Sequence, residues 1–93
     1  MKVSDITTDT IREYAGIGED EDEELLAAIL ASAKDKAMGF TGRTLEELDE
    51  HDSIAIAVLI LCNDGYLFRY SQSQPKINPA AAYTLGMFSK NLI

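Results

Sequence analysis

Hydrophobic and polar positions follow the 3.6-residue rhythm of helices along most of this chain, and one stretch has no rhythm at all. After "TTDT", Ile11, Tyr14 and Ala15 recur at spacings of three and four. They predict a short first helix with a threonine N-cap and an end near "GIG", Gly16 to Gly18. A second stripe, Leu26, Ile29, Leu30, Ala33, Ala37 and Phe40, predicts a long helix. That helix opens on "EDEDEE", residues 19–24. These carboxylates would repel one another in mid-helix but meet the positive end of the macrodipole at an N-terminus. Lys34 and Lys36 lie toward the other end, and Gly39 or Gly42 closes the helix; Gly42 is preferred because Phe40 still continues the stripe.

The connector "GRTLEELDEHD" holds one short turn, Thr44 to Leu48, before a third helix that starts among Asp49 to Ser53, with Asp52 as its N-cap, and runs to about Tyr70. Here the rhythm disappears. Ile54 to Cys62 is an apolar run of nine residues, with Ile56, Leu59 and Ile60 expected in the core. Its β-branched residues also allow a buried strand, but the apolar character extends through Tyr66, Leu67 and Phe68, too long for one. A helix in a small domain needs one apolar stripe, because one side faces the core. One that is apolar all round has to be enclosed by its own chain or by other copies of it. "SQSQPKIN", residues 71–78, is polar and reads as an exposed, mobile loop. Asn78 then caps a fourth helix with Pro79 at its first position and Ala82, Leu85, Phe88, Ser89 and Leu92 on one side. The fold class is therefore all-α. It is a small bundle of about four helices with two long antiparallel ones, over residues 20–41 and 50–70, in a single domain of 93 residues.

Charge sharpens this picture. Of the 16 acidic and 8 basic side chains, residues 1–52 hold fifteen and five, net −10, while residues 53–93 hold one and three, net +2. An acidic chain is not drawn to phosphate backbones, which disfavours general DNA binding; an uneven one suits head-to-tail self-association. "MKVSDITTDT" has no apolar core of a signal peptide, and nine apolar residues fall far short of the roughly 20 of a membrane span. The expected location is the cytoplasm.

The candidate chemistry is thin. A calcium loop begun at Asp20 would need glycine at its sixth position, where Leu25 stands, so the acidic run reads as a solvated helix start. Gly16 and Gly18 match part of a nucleotide fingerprint, but Glu21 does not and no strand precedes them. His51, among Asp49, Glu50 and Asp52, has no nucleophile placed for it: neighbouring Ser53 diverges from it on a helix. Cys62 is a buried small hydrophobe with no basic partner to activate it. The sequence predicts no enzyme, no cofactor and no metal. For Tyr66 and Arg69, near the end of the third helix, two readings stand: a core edge and a dipole partner, or polar anchors at a subunit contact.

Taken in order, "IREYAGIGEDEDEELL", "FTGRT", "IAVLILCNDGYLFR" and "INPAAAYTLGMFSKNLI" resemble the small head–tail connector proteins of long-tailed phages and prophages, the head-completion adaptors of the DNA-packaging cluster. Their pattern is a short helix, an acidic turn, a long helix ending in aromatic-Thr-Gly, an apolar helix ending in Asp-x-Tyr-x-x-Arg, a loop, and a last helix opened by Asn. Phe68 departs from it, standing where the family often has Asn. The resemblance implies a non-enzymatic ring of copies, dodecameric to match a portal, that extends the DNA channel. Its partners would be the portal and the next head-completion or tail-joining protein, with DNA passing through unread, in the host cytoplasm during assembly and then at the virion head–tail junction. The candidate subunit or portal contacts are Tyr66, Arg69, Lys76, Ile77, Phe88 and Leu92, with Ile77 buried when the loop orders on assembly. Two other classes compete: a small dimeric helical regulator, and an acidic DNA mimic, which would spread its carboxylates more widely than this chain does.

Overall fold

The computed structural model describes residues 1–20, 22–67 and 77–89. A 3-10 turn, Val3–Asp5, leads into α1, Thr8–Ala15. Val3 and Ile6 are buried, and between them Ser4 donates to Asp49 through its backbone N–H (3.0 Å) and its hydroxyl (2.6 Å). The N-terminal turn is thereby tied to Asp49, 45 residues on from Ser4. Thr7 and Thr10 form a reciprocal capping box at the start of α1, each hydroxyl accepting the other's backbone N–H. Gly16 ends the helix in the left-handed region, φ 68°. Ile11 faces the core, but Tyr14, placed by spacing on the same stripe, is exposed. A helix of two turns has room for only a narrow inner line.

Asp22 caps α2, Glu23–Thr41, by accepting the Glu24 N–H at 2.9 Å, with Glu23 and Glu24 in the first turn. The end of the acidic run thus starts the helix, three residues later than the expected start at 20, and Glu19 and Asp20 lie in the turn before it. Leu26, Leu30, Ala33, Ala37 and Thr41 form the buried line, spaced by four and three, and Ile29 flanks it. Phe40 instead lies on the shoulder and is exposed. Thr41 takes the inner place because its hydroxyl donates to the Ala37 carbonyl at 2.7 Å, leaving no unpaired polar group. Gly42, at φ 70°, closes α2 with its N–H on the Met38 carbonyl, and Gly39 stays within the helix.

The connector turn is α3, Leu45–Leu48, with a Thr44–Glu47 capping box and Leu48 fully buried. The apolar helix is α4, Asp52–Leu67. It begins one residue earlier than a cap at Asp52 would give: the His51 carbonyl accepts the Ile54 N–H and Asp52 belongs to the first turn. Ile29, near the start of α2, sits against Gly65, near the end of α4, so the two long helices run antiparallel. A β-carbon on Gly65 would come within 3.2 Å of the Ile29 side chain, so glycine permits this approach. Ile54, Ala55, Ala57, Val58, Leu59, Leu61 and Cys62 are buried in α4. Each large one contributes about 1.5–3 kcal/mol from its removal from water. The expectation for Ile56 is corrected: it is 58% exposed, while Leu59 is buried and Ile60 half-buried.

Asn78 caps α5, Pro79–Met87, accepting the Ala80 N–H at 2.9 Å, with Pro79 at the first position. Its inner line is Ala81, Leu85 and Phe88, and Ala82 lies half-exposed beside it. α5 packs mainly on α4, which therefore lies among α1, α2 and α5. Among the described residues there is no strand.

Candidate contact surface

Among the described residues, three sets of polar contacts tie helices to one another or to the N-terminal turn. At the α1–α2 corner, Arg12 reaches the Gly18 carbonyl and pairs with Glu23 at 3.1 Å, and the Thr8 hydroxyl donates to the same carboxylate. The Thr8 bond first, then Arg12, holds the Glu23 carboxyl below its ordinary value. The open hollow beside them, lined by Asp9, Arg12, Glu13, Ile17 and Glu19, contains a cation already committed to the fold. At the second tie, the Ser4 hydroxyl similarly lowers the Asp49 carboxyl. At the third, Arg43 donates from Nε to the Phe88 carbonyl and from a terminal nitrogen to Glu47. The Phe88 ring stacks on His51 with centroids 4.2 Å apart, and the Ser89 hydroxyl donates to the Phe40 carbonyl. This third tie latches the end of α5 to the α2–α3–α4 corner.

Cys62 is fully buried, and burial pushes its thiol up to about 11, so it stays protonated and unreactive at neutral pH. Among the described residues there is no group of three or more His, Cys, Asp or Glu that could hold a metal ion, and no helix is long and apolar enough to cross a membrane.

The sequence-predicted contacts are placed as follows. Tyr66 is half-buried against the core edge. Ile77 is 37% exposed just before α5. Phe88 is half-buried in the latch on His51. Arg69, Lys76, Leu92 and most of the "SQSQPKIN" loop lie outside the described residues.

What sequence reasoning missed is a set of apolar side chains facing outward. On α4, Ile56 and Leu67 are exposed and Ile60 is half-buried, at positions i, i+4 and i+11 of one helical face, with the half-buried amide Asn63 between them. On α5, Tyr83 is 73% exposed and Met87 55%, four residues apart. Both helices are apolar on every side, so periodicity could not tell inner from outer. Charge is the signal that was available. From Ser53 onward, Asp64 is the one charged side chain among the described residues.

The model of a family described as phage gp6-like head-tail connector protein matches residues 5–77, which span α1 to α4 and reach the approach to α5. No curated protein and no solved structure gave a match.

Proposed function

We propose that this chain, which belongs to the phage gp6-like head-tail connector family, is a structural adaptor ring at the junction between a phage head and its tail. The family carries the coarser part, a structural connector in the virion. The finer part is our reading: copies assemble beneath the portal once DNA is packaged, in a number matched to it, extend the channel, and present a surface to the next head-completion or tail-joining protein.

The observation that carries the reading is the extent of the family match, 5–77, beside polar contacts among the described residues that serve helix caps and ties between helices. A connector needs rigid packing and faces for neighbours; it needs no activated nucleophile. The acidic surface supports passage of DNA without a grip on it, since carboxylates repel phosphate. Electron microscopy of particles assembled without this chain tests the proposal. Filled heads without tails, with joining restored by adding the purified chain, are the expected result. Normal tail joining in its absence refutes it.

A further inference from the structure

The exposed apolar faces of α4 and α5 raise the question of what covers them. The chain carries a net charge of −8, so two copies repel wherever their acidic surfaces meet. Of the carboxylates among the described residues, Asp9, Asp22, Glu23, Glu24, Glu46, Glu47 and Asp52 gather at the starts of α1, α2, α3 and α4. The outward face of α4 beyond its first turn, Ile56, Ile60, Asn63 and Leu67, has one carboxylate at its edge, the half-buried Asp64 one turn after Ile60, and the outward face of α5, Pro79, Ala80, Tyr83 and Met87, has none. These are the surfaces through which copies of an acidic chain can approach at the least of that cost. They also expose the large apolar side chains that would drive such an approach.

We infer that the α4 face, Ile56, Ile60 and Leu67, of one copy is a contact with the α5 face, Tyr83 and Met87, of the next. The pairing of unlike faces rests on the connector reading, because subunits of a ring meet heterologously, one face on a different face. Each face is a helical stripe of a few side chains, short of the roughly 800 Å² per partner of a stable interface. The contact is accordingly weak between free subunits and forms the centre of a larger one in the ring. Being apolar, it strengthens with salt, which screens the surrounding repulsion; an ion-paired interface would weaken.

Sedimentation velocity from micromolar to millimolar concentration tests this, with Ile56→Asp, Tyr83→Asp and, as a control on the acidic half, Tyr14→Asp. All three positions are exposed, and unchanged helical circular dichroism confirms folding. Expected for the wild type is reversible self-association that tightens with salt. Ile56→Asp and Tyr83→Asp each weaken it by about tenfold or more, the factor set by about 1.4 kcal/mol, and Tyr14→Asp leaves it unchanged. An equimolar mixture of Ile56→Asp and Tyr83→Asp forms a one-to-one dimer and nothing larger, because it retains one intact α5 face opposite one intact α4 face.

Association of both variants at wild-type strength overturns the assignment of these faces and leaves the connector reading standing. Loss in Ile56→Asp alone, with no dimer in the mixture, overturns the heterologous pairing. A wild type that stays monomeric throughout overturns the contact, while tail joining in the particle experiment still decides the connector reading separately.

Discussion

Leu59 and Ile56 lie three residues apart in one unbroken apolar run, and the structure separates them: 5% against 58% exposed. Truncating Leu59 to alanine removes atoms from the centre of the bundle, where α4 is packed by three other helices. Leu→Ala at such sites costs about 2–5 kcal/mol, from lost transfer energy plus the cavity left behind. Ile56 has only about two-fifths of its surface covered. On the roughly 1.5–3 kcal/mol scale for full burial, its truncation loses about 1 kcal/mol. The better helix propensity of alanine returns a few tenths of a kcal/mol of that. A domain of this size has about 5–15 kcal/mol of stability to lose, and each kcal/mol moves the midpoint by roughly 4–8 °C. Leu59→Ala should therefore melt at least roughly 10 °C below the parent, and Ile56→Ala within a few degrees of it. Urea unfolding followed at 222 nm, at a concentration low enough to keep the chain monomeric, removes any contribution from association. Equal losses for the two variants would refute the placement of Ile56 on the outside. A neutral Leu59→Ala would refute α4 as the centre of the fold.

Further substitutions check the helix ends, the latch and the thiol. Gly39 lies within α2 with open space where a β-carbon would go, so Gly39→Ala should stabilise by about 0.5–1 kcal/mol, whereas Gly42→Ala, at φ 70°, should destabilise by about 1 kcal/mol; opposite shifts in urea midpoint are the readout. Arg43→Ala removes the donor to the Phe88 carbonyl and should cost about 1–2 kcal/mol, with hydrogen exchange rising first in α5; uniform exchange across the bundle would deny it the part of a latch. The Cys62 thiol rises in the folded state from 9.0 to about 11, so the folded protein holds that proton more tightly than the unfolded chain. Its contribution is fully present below pH 9 and lost as pH rises through about 11, at about 1.4 kcal/mol per pH unit. Cys62→Ala should lack that added slope, and the folded wild type should resist alkylating reagents at pH 8.

How much of this was legible in the sequence depends on what kind of signal each residue carries. Caps were readable because they rest on local chemistry: Thr7, Gly16, Gly42, Asn78 and Pro79 all stand where their backbone preferences put them. The class of fold and the stripe of α2 followed from periodicity. Periodicity failed at its margins. Tyr14 and Phe40 continue a spacing but sit on a shoulder, because a stripe drawn from one helix does not know where its neighbours end. It failed wholly on α4 and α5, where the face of Ile56 and the shift from Ala82 to Ala81 depend on which helices pack against which side. The latch of Arg43, His51 and Phe88 joins residues about 40 positions apart in the chain and has no local signature.

The acidity of the first half and the uncharged face of α5 have linked causes. Asp22 is needed to cap α2, Glu23 and Glu24 meet its dipole, Glu47 closes the capping box of α3, and Asp49 holds the N-terminal turn. All but Asp49, which ends α3 and reaches Ser4 across the fold, answer a local demand at the start of a helix, where anions stabilise and apolar residues do not. α5 meets the same demand without charge, through the Asn78 amide and Pro79. Had it used aspartate, the face carrying Tyr83 would open on a negative charge. The choice of cap thus decides more than where a helix starts: it decides which surfaces stay neutral. Asn78→Asp isolates that effect, since aspartate caps as well as asparagine. The fold should keep its stability, while self-association weakens at low salt and recovers as salt screens the new charge. A variant equally stable and equally associated at low salt would show that the neutrality of α5 has no part in assembly.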